Sequence, residues 1–448
     1  MRDLSRIVKA YDIRGVVPDE LDEEVARAVG AAFVRFTGAT SIVTAHDMRD
    51  SSGPLSAAFA EGAAGQGADV VAAGLASTDL LYFASGLLDV PGAMFTASHN
   101  PAKYNGIKLC KAGAAPVGAE SGLAEIRAMV EEGVPAYDGE PGTVSRRDLL
   151  AEYSDYLHGL VDLSAMRRLS VVVDAGNGMG GLTVPKVFEG LPLDLAPLFF
   201  ELDGSFPNHE ANPIDPANLE DLQAEVRKVG ADIGLAFDGD ADRCFVVDER
   251  GELVAPSVLT ALIATRELAK DPGSAIIYNL ISSHAVPEIV REHGGEPVRS
   301  RVGHSFIKAT MAETGAVFGG EHSGHFYFRD FWRADSGMLA ALHTLAALGE
   351  QEGLLSELLA QYSRYVASGE INSTVDDAEG RSAAVEKEYA GRDGVSLDHL
   401  DGLTVDGKGW WFNLRSSNTE PLLRLNVEAD DTPTMERVRD EVLAIIRG

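Results

Sequence analysis

Short apolar runs rich in β-formers recur along the chain at Ser41–Ala45, Ala68–Ala73, Leu169–Val173, Asp232–Phe237, Ala275–Tyr278 and Val317–Phe318. Helix-like stretches lie between them, among them Leu21–Phe36, Pro216–Gly230 and His284–His293. Alternation of this kind predicts α/β layers built on mostly parallel sheets. A weak repeat runs through it. Three times a strand enters a polar turn, and some 40–65 residues later another strand enters a polar, Gly-bearing loop. The pairs are VTAHDMR (43–49) with FTASHNP (95–101), VVVDAGNG (171–178) with LAFDGDADR (235–243), and IIYNLISSH (276–284) with FGGEHSGH (318–325). Three related α/β units are expected, each giving a loop to one shared place beyond the carboxyl ends of its strands.

The last stretch reads differently. A helical segment around 378–391 is followed by GLTVDGKGWWFNLRSSNTEPLLRLNVEA (402–429), which alternates as antiparallel strands, and a helix closes the chain. The expected architecture is therefore three related mixed α/β domains plus a C-terminal α+β domain with an antiparallel sheet, set around a central cleft. Gly/Pro-rich or charged turns place the divisions at 1–145, 146–251, 252–368 and 369–448. Several domains also follow from the length of 448 residues.

Composition narrows the class. No apolar run approaches a membrane span of roughly 20 residues, and MRDLSRIVKAYDIRG has no apolar core of a secretory signal. Cys110 and Cys244 lack metal-ligand spacing, so a cytoplasmic protein with two inert thiols is expected. The net charge of −31 disfavours nucleic acid and anionic membranes as partners. It also repels an anionic small molecule unless basic residues gather at one site, which draws attention to Arg, Lys and His inside glycine-rich turns. No heptad pattern marks an interface, which leaves a monomer or a small homo-oligomer.

Four segments carry candidate chemistry. FDGDADR (237–243) puts Asp238, Asp240 and Asp242 at alternate positions after a strand. Three carboxylates so close do not all ionise cheaply without a cation, and hard oxygen donors suit Mg²⁺ or Ca²⁺. The spacing nearly fits a calcium loop, with Glu249 at its twelfth position, but Arg243 stands where that loop needs Gly. GEHSGH (320–325) offers Glu321, Ser323 and His325 for sugar hydroxyls. RSSNTEP (415–421), with Arg424 beyond it, offers a guanidinium, hydroxyls and an amide for an anionic group. FTASHNPAKYNG (95–106) presents Ser98 in an Asn-Pro turn without a G-x-S-x-G elbow. Each segment alone also reads as an ordinary polar turn. A fifth, DAGNGMGG (174–181), satisfies a dinucleotide fingerprint with Glu201 and Asp203 downstream, but Thr183, Val184 and Pro185 follow closely, and a tight strand-to-helix turn is the better reading.

Taken together and in order, YDIRG (11–15), TASHNP (96–101), DGDADR (238–243), GEHSGH and RSSNTEP resemble the α-D-phosphohexomutase superfamily across essentially the whole chain, and within it the phosphomannomutase/phosphoglucomutase group. The resemblance implies exchange of hexose 1-phosphate and hexose 6-phosphate through a phosphorylated Ser98 and a hexose 1,6-bisphosphate, which also serves as activator. It implies Mg²⁺ on Asp238, Asp240, Asp242 and a Ser98 phosphate oxygen. Lys108 and His325 become acid/base candidates, and Arg14 and His99 support the phosphoserine. Arg243 lines the reacting site, and His304 touches substrate. Glu321 and Ser323 hold sugar hydroxyls, while Arg415, Ser417, Asn418 and Thr419 grip the non-reacting phosphate. A phosphoglucosamine mutase is the neighbouring alternative, disfavoured by GEHSGH and by Asn418. A nucleotide-dependent oxidoreductase on DAGNGMGG and a non-catalytic binder are the readings from other classes. One departure stands out: where many relatives place Lys or Arg near 279–284, this chain has Ile281 and His284, which puts one supporting phosphate contact in question.

Overall fold

A computed structural model of the chain describes residues 3–416 and 422–448. Four sheets follow one another along it. The first is ordered Ile13–Val16, Tyr104–Lys111, Gly92–Phe95, Ser41–His46, Asp69–Leu75, Val144–Arg146, with Ala115–Pro116 beside Tyr104–Lys111. The second runs Leu253–Val254, Cys244–Asp248, Ile233–Phe237, Leu169–Asp174, Leu193–Leu198, and the third Glu296–Ser300, Ala275–Asn279, Phe318–Gly320, Phe326–Phe328, Ala334–Asp335. The fourth is antiparallel throughout: Val366–Thr374, Leu422–Ala429, Trp410–Ser416, Leu403–Gly407, Ser396–Asp398.

The first three sheets are less parallel than the alternation predicts. Each has a parallel set whose last strand turns back into an antiparallel neighbour: Gly92–Phe95 into Tyr104–Lys111, Ile233–Phe237 into Cys244–Asp248, and Phe318–Gly320 into Phe326–Phe328. The return strands escape sequence patterning for physical reasons. YNGIKLCK carries Gly106 and lysines, and CFVVD is buried at every position, so neither alternates. This shared hairpin gives the repeat its meaning. In each unit the connecting segment, 96–103, 238–243 or 321–325, emerges at the carboxyl end of the parallel strands.

Local signals set the helix ends. Glu23–Thr37 begins on Asp22, whose carboxylate accepts from the Val25 N–H at 2.9 Å, and ends on Gly38 at φ 64. Pro216–Gly230 resolves into a short tight turn, Pro216–Leu219, and the helix Glu220–Val229. Gly180–Val187 forms a helix despite Pro185, which lies within it. With only eight residues, that helix has few internal hydrogen bonds for the proline to remove.

One apolar core crosses the first three units. Leu81 and Phe83 of the first, Tyr153 and Leu157 of the second, and Phe331 and Met338 of the third belong to the same buried cluster. The fourth unit has a core of its own. There Met435, Val438, Val442 and Ile446, spaced three or four apart on Thr432–Arg447, cover Leu423, Leu425 and Val427 of its sheet. Among the described residues no helix is long and apolar enough to cross a membrane.

Candidate active site

Ser98 sits at the tip of the first hairpin, 2% exposed, with its backbone at φ 51. A left-handed conformation is costly for a serine, so its surroundings must impose it. They do so through the backbone. Arg49, which sequence reasoning passed over, is itself buried and spends its guanidinium on the loop's carbonyls. It donates to Ser98 O (2.9 Å), Asn100 O (2.6 Å), Pro101 O (3.0 Å) and Tyr104 O (3.0 Å), and its Nε donates to Asp47 at 3.2 Å. The Thr96 hydroxyl accepts from the Ser98 N–H at 2.8 Å. The only clue in the sequence was that Arg49 ends one half of the strand-turn repeat.

So held, the Ser98 hydroxyl donates to Asp238 Oδ2 at 2.8 Å, and His99 Nδ1 lies 3.2 Å from Ser98 Oγ. Arg243 Nη2 donates to the same His99 nitrogen at 3.0 Å. Burial, reinforced by Arg243 and Arg14, pushes the imidazole of His99 well below its ordinary pKa, so it is neutral. Arg14 donates to Asn100 Oδ1 at 2.6 Å and to Asp12 at 2.5 Å, while its buried Nε has no hydrogen-bond partner among the described residues.

The second hairpin brings the three aspartates to this serine. Asp238, Asp240 and Asp242 are all essentially inaccessible, and each offers an oxygen within 4.8 Å of the others. Lys108 Nζ donates to Asp240 and Asp242 at 2.7 Å each, and Thr78 donates to Asp240 at 2.6 Å. Burial opposes charge on Lys108, but the two carboxylates outweigh it and hold the ammonium well above its usual range. Burial likewise opposes charge on Asp242, and Lys108 and His325 outweigh it. Asp238 is driven the other way, by burial and then by the negative charges of Asp242 and Asp240. Among the described residues, Asp240 Oδ1 and Asp242 Oδ1 are buried without hydrogen-bond partners. With Asp238 and a serine oxygen beside them, these carboxylate oxygens make a cluster whose donors suit a hard divalent cation. The calcium-loop spacing is accidental. The strand Cys244–Asp248 carries Glu249 away from the aspartates, and Glu249 accepts from Ser356 N and Oγ instead.

The third hairpin lies against the second. Arg243 and His325 pair as an isolated bridge, and His325 Nε2 is 3.4 Å from Asp242 Oδ1. Ser323 Oγ contacts His325 Nδ1 at 2.9 Å. Glu321 accepts from Tyr327 OH at 2.6 Å and from the Gly303 N–H at 3.0 Å, which fixes it beside His304. His304 opens the helix His304–Thr314 with Tyr11 edge-on to it at 4.8 Å, and burial followed by the Lys308 charge lowers its pKa to about 3. Two further residues escaped sequence reasoning because a lysine on a helix face gives no burial signal. Lys308 and Asp335 form a buried ion pair, 2.6 Å apart, beneath Tyr82 and Tyr327. The resulting cleft, about 850 Å³, is lined by Tyr11, Arg14, Ser98, Lys108, Asp242, Arg243, His304, His325 and Asp335. From the fourth unit, Arg415 stands close enough for its charge to depress the His322 imidazole, which burial and then Arg415 lower to about 3. Ser417, Asn418 and Thr419 lie outside the described residues.

Models of the phosphoglucomutase/phosphomannomutase family match nearly the whole chain: alpha/beta/alpha domain I at residues 5–135, domain II at 151–251, domain III at 256–365 and the C-terminal domain at 370–445. The chain belongs to this family. It is 42% identical to the phosphohexose mutases of Xanthomonas campestris pv. campestris over 446 residues, which cover 98% of this chain and 99% of the relative. It is 39% identical to a phosphomannomutase of Escherichia coli over 450 residues, 98% of each chain. The crystal structure of a phosphoglucomutase/phosphomannomutase family protein from Burkholderia thailandensis superposes with a TM-score of 0.89 at 34% identity, covering 98% of this chain and 97% of that one.

Within this phosphohexomutase framework, the glycines of DAGNGMGG meet protein rather than a dinucleotide. A side chain on Gly178 would meet Gly239 O at 2.7 Å, and one on Gly181 would meet Phe200 O at 2.1 Å. The tight turn lets this segment pack against the aspartate loop of its own unit. His284, the departure noted in the sequence, is also accounted for. Its ring stacks on Trp411 at 5.1 Å and its backbone N–H donates to Glu428 at 2.9 Å, so it docks the fourth domain on the third.

Proposed function

We propose that this mutase interconverts hexose 1-phosphate and hexose 6-phosphate, with mannose or glucose as the sugar, through a phosphoserine at Ser98 and a hexose 1,6-bisphosphate. The observation that carries the reading is the Ser98 hydroxyl held at 2.8 Å from Asp238, beside two buried carboxylate oxygens without hydrogen-bond partners among the described residues. In the first half-reaction the Ser98 Oγ–P bond breaks as a substrate hydroxyl oxygen bonds to phosphorus. The hydroxyl proton leaves to a base, and the serine oxygen regains a proton. In the second half the roles reverse and the other phosphate returns to Ser98. Lys108 and His325 flank Asp242 from two sides and are the acid/base pair. Lys108 and His325 thus stand on either side of one carboxylate, close to Ser98.

Arg14 and neutral His99 support the phosphoserine, and Arg243 lines the reacting site next to His99. Glu321, Ser323 and His304 face the sugar. Arg415, with Ser417, Asn418 and Thr419, takes the phosphate that is not reacting. Asp238, Asp240, Asp242 and a Ser98 oxygen would hold Mg²⁺, which when bound neutralises charge on the transferring phosphoryl group. A hexose 1,6-bisphosphate primes an unphosphorylated Ser98. The division at 1–145, 146–251, 252–368 and 369–448 gives each domain one of these tasks.

The test is intact mass and turnover together. Wild type incubated with glucose 1,6-bisphosphate gains one phosphate, and Ser98→Ala gains none and loses turnover by about 10³-fold or more. Activity falls with EDTA and returns with Mg²⁺. Normal interconversion of mannose 1- and 6-phosphate by Ser98→Ala would overturn the reading. A kcat/KM comparison of mannose, glucose and glucosamine 1-phosphates assigns the sugar.

A further inference from the structure

The fourth sheet turns one face to its helices; from the other, the charges of Arg415 and Arg424 reach His322 of the third unit. Leu423, Leu425 and Val427 occupy the first face; Arg424 and Asn426 alternate onto the second. Register brings more polar side chains to that second face. Arg415 lies directly opposite Arg424, and on the other flank Glu370 lies opposite Asn426. Two arginines paired across antiparallel strands repel each other, and such a pair needs an anion. Glu370 supplies it from within the chain. Its carboxylate is 3.4 Å from Arg415 Nη2 and 3.6 Å from Arg424 Nη1, and Glu370 has no other ion pair among the described residues. The arrangement is unfinished, because Arg415 Nε, Arg424 Nε and Asn426 Nδ2 are all buried without a hydrogen-bond partner among the described residues.

We propose that Glu370 is a positioning residue that serves as an internal counter-anion on the Arg415–Arg424 pair, sharing it with the substrate's non-reacting phosphate and thereby limiting how tightly that phosphate is held. The proposal rests on the reading of Arg415 as a phosphate ligand given above. Glu370 keeps the guanidiniums apart and aimed while no phosphate is present. When a phosphate dianion arrives, the carboxylate remains a like-charged neighbour, and one negative charge already offsets the two positive ones. A weakened grip suits this chemistry. The site must take the 6-phosphate in one half-reaction and the 1-phosphate in the other, so it must release the bisphosphate each turnover without letting it escape. A pair of uncompensated arginines would hold too long.

Glu370→Gln keeps the shape and an acceptor oxygen while deleting the charge. Steady-state kinetics of the full-length enzyme with glucose 1-phosphate, and inhibition by inorganic phosphate, read the effect. Both KM and the phosphate inhibition constant are expected to fall by about three- to tenfold, while kcat is unchanged or falls. Glu370→Asp, which withdraws the carboxylate but keeps it, gives a smaller shift of the same sign. It serves as the test if the Gln variant does not fold. Unchanged or raised constants overturn the proposal and mark Glu370 as a fixed brace of the arginines. Arg415→Ala tests the underlying reading separately. If that variant binds inorganic phosphate as wild type does, Arg415 is not the phosphate ligand, whatever Glu370 does.

Discussion

Arg49 shows how much of the geometry of Ser98, the proposed nucleophile, is decided by a residue buried behind its loop. It hydrogen-bonds four carbonyls of the serine loop and shares a buried ion pair with Asp47, whose side chain is fully inaccessible. Arg49→Met leaves Asp47 buried and unpaired, a loss of about 3–5 kcal/mol. Arg49→Lys keeps the charge but not the fork of donors, so it lowers kcat more than stability, as thermal melts beside turnover will show. Serine-loop contacts of this kind were legible only in part: TASHNP named the serine, but VTAHDMR marked only a strand and its turn, and nothing linear pointed to Arg49. A second residue pair governs pH. His209 Nε2 lies 3.0 Å from Asp174 Oδ2. Burial opposes its charge, but the Asp174 hydrogen bond and charge outweigh it and raise the pKa above 6.5. A raised histidine contributes its full stability below about 6.5 and loses it as pH climbs through the folded value. Melting temperature should therefore decline over that interval, and Asp174→Asn should flatten the decline.

At the scale of elements the site depends on hairpins meeting at their tips. Gly239, in the aspartate turn, sits so close to the serine loop that a Cβ there would lie 2.4 Å from Ser98 O, and on its other side Gly178 packs against it. Gly239→Ala must push backbone from backbone. It is expected to cost about 1–3 kcal/mol and, because it separates Ser98 from Asp238, to abolish most turnover. A variant with wild-type kcat would show that the loops tolerate separation. The sequence marked both loops as polar turns after strands. It did not reveal that each turn is the reversal of a hairpin, because the return strands are buried or irregular rather than alternating.

The whole molecule divides by its cores. A single apolar cluster unites the first three units, reinforced by Asp79, which accepts from Tyr153 OH at 2.6 Å and Ser336 Oγ at 2.7 Å across the junction. The fourth domain has a separate core and meets the third through polar contacts and one stacked pair: His284 on Trp411, Arg299 with Asp398 at 2.7 Å, and the Val302 N–H on Asp401 at 3.2 Å. Independent cores predict independent cooperativity. Two of the three tryptophans, Trp410 and Trp411, are in the fourth domain, while Trp332 stacks on Tyr156 at the three-unit junction. In urea, fluorescence of Trp332→Phe should follow the fourth domain alone and move at lower denaturant than far-ultraviolet dichroism. Coincident transitions would mean that the interface couples the two bodies into one.

By itself the sequence determined the repeat, the succession of α/β and antiparallel segments, and the chemistry of the individual loops. Those are set by neighbours along the chain: the period of apolar positions, the turn chemistry of Asn-Pro and Gly, and the crowding of Asp238, Asp240 and Asp242 within five residues. What the tertiary structure alone decided is which loops meet. Lys108 on a return strand reaches Asp240 and Asp242 from another unit. Lys308 and Asp335 bury each other beneath two tyrosines, and Glu370 meets Arg424 on the next strand and Arg415 on the one beyond it. Each of these depends on strand register and on the packing of whole units. Their energies come from burial and from charge in a poorly solvated cleft, conditions that no local stretch of sequence specifies.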